Sequence, residues 1–158
     1  MTVREIELKD NAALAQLLRA TLTEMGVPKT GTAFEDPEIN AMFEAYQRNR
    51  HSYFILEEAG KVIGGAGIAP LANGPDGVCE LQKMYFSPTA RGKGWGAKMI
   101  MHCLEYATSQ GFTKCYIETL PNMQAAQNLY VKKGFTYLEA PLGSTGHNSC
   151  SVWMIKEL

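Results

Sequence analysis

Residues 85–101, YFSPTARGKGWGAKMIM, constrain the fold more than any other stretch. Gly92, Gly94 and Gly96 alternate with Lys93 and Trp95, and Arg91 stands directly before them. Glycine has no Cβ, so such a backbone can turn tightly and approach a ligand closely. An apolar helical pattern follows at once, so the turn feeds a helix N-terminus, where unpaired N–H groups sit at the positive end of a dipole. Phosphate suits such a site. Each anion–dipole contact is worth roughly 0.3–1 kcal/mol, and about 2 kcal/mol when partly buried. Arg91 and Lys93 can add charge-assisted hydrogen bonds.

Three phosphate ligands are open to such a turn. The Walker pattern fails, because no Ser or Thr follows a Gly-Lys pair here. Gly92, Gly94 and Ala97 fit the dinucleotide pattern G-x-G-x-x-G/A, with Glu118 at about the spacing of a ribose-binding acid. That pattern normally follows its strand immediately, whereas Ser87–Arg91 intervene here, and little chain remains after Glu118 for a doubly wound sheet. The third pattern is Arg91-x-x-Gly94-x-Gly96. It resembles the [QR]-x-x-G-x-[GA] signature of the GNAT family of N-acetyltransferases, in which this turn holds the pyrophosphate of acetyl-coenzyme A. A second block, ETLPNMQAAQNLYVKKGF, resembles the family's helix ending A-x-x-L-Y-x-K-x-G-F, matched by Ala126, Leu129, Tyr130, Lys132, Gly134 and Phe135. Seven residues before Tyr130 many members carry Asn; Met123 stands there, with Asn122 beside it.

The element pattern agrees with that resemblance. Val3–Leu8 alternates apolar and charged residues as a strand does. Asp10 or Asn11 can cap a helix over Ala12–Met25, ended by Gly26-Val27-Pro28. A loop over Lys29–Glu35 precedes a second helix, with Asp36 as cap and Pro37 in its first turn, reaching about Asn49. Ser52–Glu57 and Lys61–Pro70 form a hairpin, and Gly64, Gly65 and Gly67 suggest a bulge or a close approach. The strand Val78–Phe86, the helix Gly94–Ser109 and the strand Lys114–Leu120 make a parallel crossover unit. A helix over Asn122–Lys133 and strands at Phe135–Glu139 and Ser149–Lys156 complete the chain. The expected fold is α/β: one domain over residues 1–158, with a central mixed sheet flanked by helices.

The length of 158 residues allows a single core. The net charge of −1 offers no basic footprint for nucleic acid, and no apolar run reaches the ~18 residues of a membrane span. Cys79, Cys103, Cys115 and Cys150 lack metal-like pairing, so no metal is expected and the thiols read as reduced, in a cytoplasmic protein.

The resemblance implies an enzyme that moves acetyl from acetyl-coenzyme A, its co-substrate, directly to a primary amine of a small molecule or peptide. A non-catalytic acyl-coenzyme A sensor of the same fold and a nicotinamide-dependent oxidoreductase are the alternatives. Family habit allows a homodimer. Transferred residue by residue, the turn Arg91–Ala97 holds the pyrophosphate through Arg91, Gly92, Lys93, Gly94, Trp95, Gly96 and Ala97. The backbone of Met84, Tyr85 and Phe86 pairs with the pantetheine arm. A backbone N–H near Met84 polarises the thioester carbonyl, and Asn122 stands in for the missing asparagine. Tyr130 donates to the leaving thiolate, and Glu80 is the candidate base. Glu118 and His147 are candidates for the acceptor side. The helices of Ala12–Asn49 and the loop Gly143–Ser149 would wall the acceptor pocket.

Overall fold

The computed structural model describes residues 1–158. Seven strands form one sheet: β1 (Thr2–Glu5), β2 (Ser52–Glu58), β3 (Lys61–Pro70), β4 (Val78–Phe86), β5 (Lys114–Thr119), β6 (Thr136–Leu138) and β7 (Val152–Glu157). Their spatial order is β1-β2-β3-β4-β5-β7-β6. Every neighbouring pair is antiparallel except β4–β5, which is joined by the crossover helix α3 (Trp95–Ser109). The other α-helices are α1 (Asn11–Glu24), the single turn α2 (Met42–Ala45) and α4 (Gln124–Lys132).

Strand alternation divides the apolar residues between two faces. Along β2, Phe54 and Leu56 join one core with Met99, Ile100, Cys103 and Leu104 of α3 and Tyr130 of α4. Tyr53 and Ile55 join the other, with Leu14 and Leu18 of α1, Ile39, Met42 and Tyr46. Each fully buried aliphatic side chain stabilises by roughly 1.5–3 kcal/mol, which sets a one-residue slip of β2 at a prohibitive cost.

Two expected elements differ. Leu8 is exposed in a short 3-10 turn (Leu8–Asp10), so β1 stops at Glu5. There, Arg4 bridges Asp10 and Glu57 and draws the chain off the sheet edge. The second helix breaks into 3-10 turns at Ala33–Glu35 and Pro37–Asn40 and the single turn α2. Ile39, Met42 and Tyr46 are all buried, as the periodicity requires. The backbone nevertheless turns out of helix at Ala41 (φ −139°, ψ 47°), where the Phe43 N–H donates to the Asn11 side chain.

The glycines of β3 mark close approach. A Cβ on Gly65 would lie 2.5 Å from Cε1 of Tyr53, and one on Gly67 2.6 Å from the ring of Tyr46. Between these residues the register slips: Gly65 pairs with Tyr85 and Gly67 with Gln82, so β4 carries one extra residue. Lys83 adopts a left-handed φ of 48° there, and the Tyr53 hydroxyl donates to its carbonyl oxygen at 2.9 Å. A bulge bends its strand. β4 and β5 pair only from Val78–Lys114 to Glu80–Tyr116, although both strands run on, to Phe86 and Thr119.

Candidate active site

The parting of β4 and β5 creates a cleft. One cavity of about 250 Å³ is lined by Met84 and Tyr85 of β4, Glu118 of β5, Asn122, Met123 and Tyr130. Tyr130 is buried and packs against Phe135, yet its hydroxyl meets no protein partner at the cavity wall. Burial raises its pKa, so it remains a neutral donor. Tyr85 is raised for the same reason and borders both this cavity and the next.

Between β4 and α3 lies the glycine turn. Gly92 and Gly94 adopt φ of 71° and 81°, with open space where a Cβ would stand, so the left-handed backbone is what requires glycine. Gly96 is constrained differently: a Cβ there would lie 2.9 Å from Leu129 of α4. The backbone N–H groups of residues 92–97 have no acceptor in the chain; the first paired amide is Lys98, to the Gly94 carbonyl at 3.2 Å. Six consecutive free amides at the start of a 15-residue helix form a site for an anion. Arg91 braces this turn, because its guanidinium is bidentate to Glu24 of α1 at 2.8 Å and its Nε donates to the Phe86 carbonyl. Lys93 is exposed, Trp95 packs against the core beneath Lys98, and Phe86 packs beside Gly64 rather than lining the cleft. An unpaired strand edge, a narrow cavity and a nest of amides suit an extended ligand with a phosphate end, as the resemblance to acetyl-coenzyme A enzymes requires.

A second, smaller cavity of about 50 Å³ adjoins the first. Glu80, 4% exposed, points into it from the last paired position of β4. One atom each of Glu80, Glu118 and His147 lie within 4.8 Å of one another. Burial lifts the Glu80 carboxyl to about 7, against a hydrogen bond from Gln82 at 2.6 Å that lowers it and with the Glu118 charge adding to the rise. Gln82 is oriented in turn by the Tyr46 hydroxyl, 2.7 Å from its side-chain oxygen. Glu118 accepts from Tyr116 at 2.8 Å and from Thr145 at 2.6 Å. The walls come from Val27, Thr32 and Ala33, in the stretch after α1, and from His147 and Cys150.

Several members of this site are invisible to sequence reasoning. Asp36, expected as a helix cap, instead bonds Nε2 of His147 at 2.9 Å and pairs with Lys83 Nζ at 2.6 Å. Lys83 also reaches Glu38 at 3.1 Å. Burial works against the Lys83 charge, but these two carboxylates raise its pKa above the ordinary value. A lysine in the middle of a central strand is the one signal that pointed to them.

The sheet is not doubly wound, since it holds a single parallel pair, and this sets the dinucleotide reading aside. Residues 13–135 match the sequence model of the Acetyltransferase (GNAT) family. YjgM of Escherichia coli (strain K12), described as an uncharacterized N-acetyltransferase, is 40% identical over 157 residues, covering 99% of this chain and 94% of its own. Among solved structures, a GNAT-family acetyltransferase of Staphylococcus aureus Mu50 superposes with a TM-score of 0.87 at 15% identity, over 99% of this chain and 98% of that one. A phosphinothricin acetyltransferase of Sinorhizobium meliloti, solved in complex with AcCoA, gives 0.80 at 21% identity, over 99% and 88%. Sequence match and fold therefore agree with the free amides and the parted strands: the chain belongs to the acetyltransferase (GNAT) family and is an acetyl-coenzyme A-dependent N-acetyltransferase.

Proposed function

We propose that the enzyme transfers acetyl directly to a primary amine of a small molecule or of a peptide, with Glu80 as base and Tyr130 as the hydrogen-bond donor to the departing thiolate. The observation that carries this reading is Glu80 itself, buried where the strands part, with its carboxyl lifted to about 7. An alkyl amine with a pKa near 10.4 costs about 4.6 kcal/mol to deprotonate at pH 7, and a base poised near that pH meets the need. The free amides of residues 92–97 suit the pyrophosphate, and the open edge of β4 at Met84 and Tyr85 suits the arm that carries the acetyl group. Asn122 lies on the same cavity wall. Tyr130, kept neutral by burial, offers a proton donor whose bond strengthens as charge develops on sulfur.

On the acceptor side, Glu80 and Glu118 would draw a cationic amine. All four cysteines are free thiols, in keeping with a reducing compartment such as the cytoplasm. No helix is long and apolar enough to cross a membrane.

A panel of small amines and peptides, assayed for thiol release from acetyl-coenzyme A, tests the reading. Release that is lost in E80Q and Y130F, with cofactor binding retained, supports it. Tight cofactor binding without release on any amine would instead favour an acyl-coenzyme A sensor.

A further inference from the structure

His147 belongs to two cavities at once. It lines the smaller cavity with Glu80 and Glu118. It also lines an outer cavity of about 170 Å³ with Ser144, Thr145, Asn148 and Trp153. Its side chain is 18% exposed, so the imidazole reaches solvent. Its Nε2 is tied to Asp36 Oδ1 at 2.9 Å. Asp36, held in the ionised form by His147 and Lys83 against its burial, can only accept, so Nε2 carries the hydrogen and Nδ1 is the nitrogen left free. No direct hydrogen bond joins His147 to Glu80, but one ring nitrogen of His147 and one carboxylate oxygen each of Glu80 and Glu118 lie within 4.8 Å of one another. One water with two bonds of about 2.8 Å spans such a gap. A cavity of about 50 Å³ with three polar walls suits a single water, whose share of liquid volume is about 30 Å³.

We propose that His147, positioned by Asp36, is the exit for the amine proton: it takes the proton from Glu80 through one bridging water and releases it to solvent in the outer cavity. The proposal rests on the amine-acetylation reading above. The proton lost by the attacking amine moves to a Glu80 oxygen. Glu80 gives a proton to the water, and the water gives one to Nδ1 of His147. The imidazolium, stabilised by Asp36, returns the proton to bulk water, and Glu80 is again ionised for the next turnover. At 4% exposure Glu80 has little direct contact with solvent, so a relay speeds its return to the ionised form. The charged and titratable groups around the imidazole agree with this role. Asp36 and Glu80 favour its protonated form, Lys83 opposes it, and Glu118 and Cys150 share its cavities.

The test combines NMR titration of the three histidines with turnover of an amine that the wild type acetylates, using H147A and H147Q for assignment. In E80Q and in D36N the His147 midpoint should fall, because each removes a nearby negative charge. H147A should lose about 10²-fold in kcat with its KM for acetyl-coenzyme A unchanged. Added imidazole should restore turnover in proportion to its concentration, which a structural role would not allow. H147A or H147Q turning over at the wild-type rate from pH 6 to 9 would overturn the relay alone. So would a His147 midpoint indifferent to E80Q, or a loss without imidazole rescue that follows a fall in Tm. Absence of wild-type turnover on every amine would overturn the acetylation reading, and the relay with it.

Discussion

Replacing Glu80 by glutamine should stabilise the protein above pH 7 while removing its turnover. Glu80 has an ordinary carboxyl value of 4.5 and is lifted to about 7 in the folded chain, first by burial. Between these values the native state holds a proton that the unfolded chain has lost. Its contribution is therefore fully present below pH 4.5 and is lost as pH rises through 7. The difference of about 2.5 units at 1.36 kcal/mol each means that ionised Glu80 costs about 3 kcal/mol at pH 8.5 relative to pH 4. Glutamine cannot ionise, and its amide oxygen can still accept the bond from Gln82. At this chain length, about 3 kcal/mol corresponds to a rise of roughly 6–12 °C in Tm. The assay is thermal unfolding of wild type and E80Q from pH 5 to 8.5, read as the difference between the two, in which every other titrating group largely cancels. The gap should be small at pH 5 and open through pH 7. Over the same range, wild-type kcat should fall about tenfold for each unit below 7, because only ionised Glu80 accepts a proton. A Tm gap that does not change with pH would refute the elevated carboxyl and remove Glu80 as a base tuned by burial.

Other consequences are as direct. Y130F should lower kcat by about 10²-fold with no loss of Tm, because the hydroxyl it removes has no partner in the protein; a fall in Tm with unchanged kcat would make Tyr130 purely a core residue. G67A should cost about 1–3 kcal/mol in denaturant unfolding, since the new Cβ would meet the Tyr46 ring at 2.6 Å and push it off Gln82; an unchanged midpoint would show that Tyr46 moves freely. K83M should destabilise by about 3–5 kcal/mol, because it strands Asp36 and Glu38 beside a buried position; retention of wild-type Tm would show that water replaces the ammonium without cost.

Much of this molecule is legible along the chain. The strand alternation of β2, the apolar stripe of α3 and the left-handed glycines of the turn are short-range properties. Each is decided by residues within one or two turns of each other, so their patterns survive in the sequence. For the same reason the glycine turn and the block ending at Phe135 carry the family resemblance. The second helix departs from its pattern because its buried positions follow helical spacing, while the bond from the Phe43 N–H to Asn11, 32 residues away, favours a broken path.

The site is another matter. Asp36, Glu80, Glu118 and His147 lie on four separate segments, and no spacing between them predicts that they meet. Their meeting depends on the extra residue at Lys83 that parts β4 from β5, and on two loops that close over the gap. Glu80 shows the division most plainly. Its sequence position placed it on the central strand at the right distance before the turn, but only tertiary burial beside Glu118 lifts its carboxyl to about 7. A residue's identity and local conformation are set by its neighbours in the chain. Its proton affinity is set by the solvent that distant segments exclude and the charges they bring near, and these exist only once the chain has folded.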